Sequence, residues 1–138
     1  MQQMVMINSR PQDAYRRQDV MTANAVDLIV MLYDALKKNI ILGRRGIEKK
    51  DMQSAHNHLM KAQDIVSELI KSLDMNYEIS EELLSIYGFA LRSLADANIR
   101  KDTEPLAPVI EMVDDLRGAW KQASGIIKGS TQWREEQA

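Results

Sequence analysis

Residues 23–47 read ANAVDLIVMLYDALKKNIILGRRGI, and they hold more apolar side chains than the buried side of an ordinary surface helix. On a helical wheel the charged residues share one narrow strip, which contains Asp27, Asp34, Lys38 and Arg45. The apolar residues cover an arc of about 200°, where a surface helix shows about 100°. They are Leu28, Ile29, Met31, Leu32, Ala35, Leu36, Ile40 and Ile47. The pattern predicts either a central helix of a bundle, or one that packs on the bundle with one flank and receives something else on the other.

Three further segments show the apolar spacing of three and four residues that is typical of amphipathic helices. Asp51, Ser80 and Thr103 are their expected N-caps, because these side chains accept hydrogen bonds from the free N–H groups of a first turn. Asn24 has the same expected role in the first helix. The connections are short and strand signals are absent. The sequence therefore predicts an all-α fold, an antiparallel up-down four-helix bundle with a mobile N-terminal arm.

Two glycines, Gly43 and Gly46, lie three residues apart in the second half of the first helix. Each costs a helix about 1 kcal/mol relative to alanine. Two interpretations stay open at this point. Either another backbone approaches the helix closely at these positions, or the helix has a weak end there.

The length of 138 residues and the hydrophobic fraction of 45% suit a single domain with its own core. The predicted bundle covers residues 23–124. Residues 1–22 show no sustained period but are more apolar than a solvated tail needs, so we interpret them as an arm partly ordered against the bundle; a frayed terminus is the alternative. Gly125, Gly129 and Ser130 favour an end of the fourth helix, which makes residues 125–138 a flexible polar tail.

The overall composition excludes several classes of protein. A net charge of −2 and a pI near 5.7 provide no basic field for a phosphate backbone, so no nucleic-acid partner is expected. Without cysteine, neither a disulfide framework nor thiolate zinc is possible. The amino end lacks the features of a signal peptide, and no stretch approaches ~18 apolar residues without a charge. We therefore expect a cytoplasmic protein with no membrane insertion.

Residues suited to catalysis or metal binding are not brought together by the sequence. His56 and His58 diverge by about 200° on a helix and cannot share a metal; His56 is expected to flank the apolar stripe and His58 to face solvent. The acidic pair Glu81 and Glu82, like the other adjacent carboxylates, points apart on a helix. No phosphate loop or nucleophile elbow occurs. We predict no catalytic residue, no metal site and no cofactor, and hence a protein that is not an enzyme.

Specific strings along the chain point to a family. Three strings at the start resemble the opening of the flagellin-specific export chaperones, the FliS family: DAY at 13–15, VMTAN at 20–24 and LIVMLYD at 28–34. Four later strings resemble that family's second, third and fourth helices: LMKAQDIVSEL at 59–69, IYGFALRSL at 86–94, ANIRKD at 97–102 and LRGAWK at 116–121. The strings occur in the family's order from residue 13 to about residue 124.

The resemblance implies a cytoplasmic four-helix chaperone that binds the C-terminal segment of newly made flagellin one-to-one. Such binding would prevent premature polymerisation and keep flagellin competent for flagellar secretion. In that family the N-terminal arm can lie over part of the same surface. The resemblance leaves open whether other flagellar regulators bind, and whether the free protein self-associates.

The resemblance also assigns residues to the expected site. It matches Tyr15 to the aromatic residue of the arm, Tyr33 to that of the first helix, and Tyr87 with Phe89 to the pair on the third helix. The wheel separately places Phe89 among charged residues, away from the apolar stripe. The resemblance also matches Trp120 to the tryptophan of the fourth helix. For Tyr33, Tyr87 and Trp120, core packing is the alternative. The predicted flagellin-binding residues are Tyr15, Ile29, Val30, Tyr33, Tyr87 and Phe89.

A function of another class also fits the wide apolar arc of the first helix. A non-catalytic helical-bundle module with a regulatory or structural role would use that arc for homodimerisation and have no secretion client. A stable dimer that binds no flagellin would favour this alternative.

Overall fold

A computed structural model describes the backbone of residues 23–137 and the side chains of residues 24–123. The arm predicted at residues 1–22, including Tyr15, lies outside the described residues. Four helices follow one another: α1, Ala23–Glu48; α2, Met52–Lys71; α3, Ile79–Arg100; and α4, Leu106–Gln137. No strand occurs among residues 23–137. The prediction of an all-α fold is confirmed.

The chain divides into two compact units. The larger unit, Met31–Arg117, holds most of α1, all of α2 and α3, and the beginning of α4. In this unit Lys37 pairs with Asp114 and Asp34 pairs with Arg117, so residue numbers rise along α1 as they fall along α4. The helices pack as the predicted antiparallel four-helix bundle. The described part of the smaller unit consists of the start of α1 and the rest of α4.

The core of the larger unit is built from the apolar stripes of the helices. Burying one leucine or valine side chain fully contributes about 1.5–3 kcal/mol, so the stripes are the main source of stability. On α2 the stripe is buried at Ala55, Leu59, Ala62, Val66 and Leu69. On α3 it is buried at Leu83, Tyr87, Ala90, Leu94 and Ala97, and on α4 at Leu106, Val109 and Val113. These positions are the ones that helical spacing predicts.

The predicted N-caps have mixed outcomes. Asp51 caps α2, and its carboxylate accepts a hydrogen bond from the Ser54 backbone N–H at 3.2 Å. Ser80 instead lies inside α3, because its buried hydroxyl donates to the Asp74 carbonyl at 2.6 Å and closes the preceding turn. Asn24 and Thr103 are not at the predicted cap positions either. Asn24 lies inside α1, which already includes Ala23, and Thr103 precedes α4, which begins only at Leu106.

The fourth helix is longer than expected. α4 continues through Gln137, past Gly125 and Gly129, so the boundary at residue 124 is not an end of helix. A glycine lowers helix propensity by about 1 kcal/mol without removing the backbone N–H, and better helix formers on either side outweigh that cost. Propensity alone therefore placed the boundary too early.

The glycine pair of α1 lies where α2 packs against it. A Cβ atom added at Gly46 would stand 2.7 Å from the Ala55 backbone nitrogen and 2.9 Å from its Cα. At Gly43 it would stand 2.6 Å from a terminal carbon of Leu59. Real Cβ contacts are not this short, so α1 and α2 approach each other more closely than side chains at these positions would allow. Close approach, the first of the two open interpretations, is the one the structure supports.

Candidate functional site

Part of the wide apolar arc of α1 stays outside the core. Leu36 and Ile40 are fully buried. Leu28 and Met31, three residues apart and so on one side of the helix, are 61% and 64% exposed. An exposed pair of large apolar side chains next to a packed core is typical of a surface that binds another molecule. The arc is therefore shared between the core and a free outer flank.

A second apolar surface lies between α3 and α4 in the larger unit. There an open groove of about 380 Å³ is lined by Ile86 of α3 and by Pro108, Met112 and Leu116 of α4. The three α4 residues are four positions apart, which places them along one face of that helix. The remaining lining residues are acidic: Glu111 and Asp115. Helical spacing alone does not reveal this groove, which we call the α3–α4 groove.

Phe89 lies on the surface of α3, three residues after Ile86 of the groove. The wheel predicts this exposed position. The charges on this side of α3 are ordered: the Arg100 guanidinium donates two hydrogen bonds of 2.8 Å to the Asp96 carboxylate. This hydrogen bonding to Arg100 lowers the pKa of Asp96 below its ordinary value. Gly88 leaves space beside Phe89, since an added Cβ would meet only the Arg92 guanidinium at 3.3 Å.

Two of the predicted aromatic residues meet in the core. The hydroxyl oxygens of Tyr33 and Tyr87 are 2.6 Å apart, and either hydroxyl is a possible donor. Both residues are buried. Burial raises the pKa of the Tyr87 hydroxyl above its ordinary value, and the charge and the hydrogen bond of Tyr33 raise it further. The structure thus favours core packing, the alternative for these two tyrosines.

The other predicted site residues differ in their access to solvent. Val30 is buried and Ile29 is half-buried, both on α1. Trp120 of α4, which is not one of the predicted flagellin-binding residues, is also half-buried. Among the predicted site residues that the structure describes, only Phe89 and Ile29 therefore keep surface that a partner could reach. Phe89 belongs to the larger unit, as does the groove beside it.

The tyrosine pair leads to a prediction about stability. Tyr87→Phe removes one hydroxyl and deprives the buried Tyr33 hydroxyl of this partner, which costs about 1–3 kcal/mol of unfolding free energy. Tyr33→Phe acts from the other side. We expect the double variant to lose at least about 0.5 kcal/mol less unfolding free energy than the sum of the single variants. The reason is that it removes both hydroxyls, so neither is left buried without the other. Urea unfolding of all four proteins measures the coupling.

The pH dependence gives the same prediction a second readout. The folded-state pKa of Tyr87 lies above the ordinary tyrosine value of 10.0. Stabilisation by the neutral pair is therefore complete below about pH 10 and is lost as the pH rises towards the folded-state value. Relative to the parent chain, Tyr87→Phe should lose less stability between pH 9 and pH 11. Strict additivity of the single variants, or identical alkaline profiles, would contradict a coupled pair.

Two ion pairs hold α4 against α1 in the larger unit. Lys37 Nζ lies 2.7 Å from the Asp114 carboxylate, and Arg117 donates two hydrogen bonds to Asp34. The bond to Asp34 raises the pKa of Arg117. Each pair is partly exposed and of modest energy, but together they fix the register of α4, and with it the α4 side of the groove. The sequence itself indicates this antiparallel register. In these pairs each helix carries one acidic and one basic residue three positions apart, in the same order, and the opposite charges face each other only when the helices are antiparallel.

The two histidines bridge helices. His58 is half-buried rather than facing solvent, and its Nδ1 lies 3.2 Å from Oδ1 of Asn39 on α1. The Asn39 amide donates to the Ala35 carbonyl at 2.8 Å, so its oxygen is left to accept from His58. His56 Nδ1 lies 3.1 Å from the Asn98 amide nitrogen on α3. Among residues 24–123, whose side chains the structure describes, no group of three His, Cys, Asp or Glu side chains is placed to hold a metal ion.

Comparison with known proteins gives a consistent result. A family model described as "Flagellar protein FliS" matches residues 6–126. The chain is 42% identical over 113 residues to the flagellar secretion chaperone FliS of Bacillus subtilis, covering 82% of this chain and 85% of that protein. It is 32% identical over 108 residues to the protein of that name from Salmonella typhimurium, covering 76% and 80%. With the Escherichia coli protein the identity is 26% over 107 residues, covering 75% and 79%. None of the described helices combines the length and the apolar character needed to cross a membrane.

Proposed function

This chain belongs to the FliS family of flagellar secretion chaperones, and we propose that it is a cytoplasmic chaperone for the C-terminal segment of newly made flagellin. Family membership implies a flagellar protein as partner. The proposal adds the identity of the client, a one-to-one complex and the surface that binds it. In this complex flagellin is kept from polymerising before export and stays competent for secretion.

The observation that carries the proposal is the α3–α4 groove with Phe89 beside it. An amphipathic helix binds in such a groove through apolar anchors at positions i, i+3 or i+4, and i+7. Pro108 and Leu116 are eight residues apart, or about 12 Å along α4, and anchors at i and i+7 are about 10.5 Å apart. The groove is therefore long enough for two turns of a client helix.

The outer flank of α1 supports binding of a client in more than one piece. Leu28 and Met31 offer apolar surface to a second stretch, and Ile29 contributes its exposed part. Methionine adapts its shape to different partners because its side chain is unbranched and has three rotatable bonds. A flagellin end that binds partly as a helix and partly as an extended chain would use both surfaces.

The buried members of the predicted site have a different role in the proposal. Val30, Tyr33 and Tyr87 contribute by fixing the helices that carry the contact residues, while Phe89 contacts the client directly. Tyr15 is proposed to belong to an arm that the client displaces. In this arrangement, loss of a buried tyrosine lowers stability first and client affinity only as a consequence.

Calorimetric titration with the C-terminal segment of flagellin from the same organism tests the proposal. We expect a one-to-one complex with a negative heat-capacity change, because a client that folds on binding buries about 1,000–3,000 Å² of surface. Size-exclusion chromatography with light scattering gives the mass of the free protein and of the complex. Absence of binding together with a stable dimer would instead support the homodimeric module.

A further inference from the structure

The connection between α2 and α3, together with the first residue of α3, exposes three large apolar side chains in close succession. Met75, Tyr77 and Ile79 are 52%, 41% and 53% exposed. The first and the last are four positions apart in the chain, so their backbones lie within about 14 Å of each other even if that chain were fully extended. They therefore form one apolar patch at this end of the bundle, on the connection rather than on the α3–α4 groove.

Hydrogen bonds hold the connection in one conformation. The Asp74 carbonyl accepts from the Tyr77 backbone N–H at 3.1 Å and from the Ser80 hydroxyl at 2.6 Å. The Asp74 carboxylate accepts from the Asn76 N–H at 3.0 Å. Ser80 is only 3% exposed, so a buried hydroxyl holds the turn while the three apolar side chains remain exposed. A rigid turn of this kind loses little conformational entropy when a partner binds.

The same stretch is strongly acidic. Asp74, Glu78, Glu81 and Glu82 lie within nine residues, and no lysine or arginine occurs from Ser72 to Leu91. No ion pair within the described part of the chain engages these four carboxylates. Glu81 and Glu82 stabilise the first turn of α3 through the helix dipole. The dipole explains those two charges but not the exposed apolar side chains next to them.

We propose that residues 74–82, the turn surface, form a second docking site, and that its partner is a cationic protein segment with apolar anchors. The apolar side chains supply the buried contacts, and the carboxylates around them attract a basic partner and orient it. Phosphate backbones and anionic lipid surfaces are repelled by the same carboxylates. None of residues 74–82 lines the α3–α4 groove, so in this proposal, which builds on the proposed client site, the chaperone holds its client and the second partner together.

Site-specific photo-crosslinking tests the turn surface in the full-length chain in cells. A photoreactive phenylalanine analogue replaces Tyr77, and in a control protein it replaces Met60, which is 39% exposed on α2. We expect an adduct from position 77 alone, and mass spectrometry of the digested adduct should place the link in a segment rich in lysine and arginine.

Charge reversal distinguishes electrostatic attraction by the turn surface from nonspecific binding. Glu78→Lys with Glu82→Lys should lower the yield of the adduct about tenfold. Glu48→Lys with Asp64→Lys changes the net charge equally at exposed positions on α1 and α2 and should leave the yield unchanged. The proposal is overturned by equal adducts at positions 77 and 60, by equal effects of the two reversals, or by an adduct with flagellin or a second copy of this chain. Flagellin titration of each variant reports on the client site separately.

Discussion

Gly46→Ala is expected to lower the free energy of unfolding by about 2 kcal/mol. The new Cβ atom would lie 2.7 Å and 2.9 Å from backbone atoms of Ala55, and backbone atoms can yield only if α2 moves. Overpacking of this kind costs about 3 kcal/mol, against about 1 kcal/mol gained in helix propensity. Thermal and urea unfolding followed by circular dichroism should show a midpoint lower by about 7 °C.

Gly118→Ala is the matched control for this effect. Position 118 is an exposed helical glycine of α4, and an added Cβ would meet nothing within 4 Å. There the gain in propensity acts alone, so the change should stabilise by up to about 1 kcal/mol. Gly43→Ala should fall between the two, because the atoms in its way belong to the Leu59 side chain, which can shift more easily than backbone atoms. Stabilisation by alanine at position 46 would show that α1 and α2 are not in close contact there.

The glycine pair also shows where prediction from sequence stops. Helical spacing identifies the core-facing residues of α2, α3 and α4, because that depends only on the period of one helix. On α1 the predicted arc omits the buried Val26 and Val30. Whether Gly43 and Gly46 meet another backbone depends on the register of α2, which one helix does not contain. The cap predicted at Ser80 was wrong for a related reason, since its hydroxyl bonds to a turn six residues earlier.

The residues of the candidate site also differ in whether one helix is enough to predict their environment. Phe89 is predictable as a surface residue, because it lies off the stripe of its own helix. Tyr33 and Tyr87 required the fold, since each buries a hydroxyl that is satisfied by a partner 54 residues away. The α3–α4 groove was missed because Ile86, Met112 and Leu116 flank the buried stripes, and only the packing of two helices shows that the space between them is open.

Phe89→Ala combined with Met112→Ala is expected to lower the affinity for the flagellin C-terminal segment about a hundredfold, or about 2.7 kcal/mol. Aromatic anchors and their neighbours in a groove carry most of the energy of such interfaces, and both side chains lie at the α3–α4 groove or beside it. Neither is fully buried in the free chain, so its thermal unfolding should stay cooperative. Calorimetric titration of the double variant measures the loss.

Ile99→Ala is the matched control, since Ile99 is 83% exposed on the same helix and does not line the groove. It removes a large apolar side chain from the surface of α3, and we expect unchanged affinity. Equal losses for the control and the double variant would mean that flagellin responds to general hydrophobicity of α3 rather than to the groove. Full affinity in both would move the main contact to the outer flank of α1, where replacing Leu28 and Met31 with alanine should then produce the loss. The three variants together therefore locate the client at the α3–α4 groove or at the outer flank of α1.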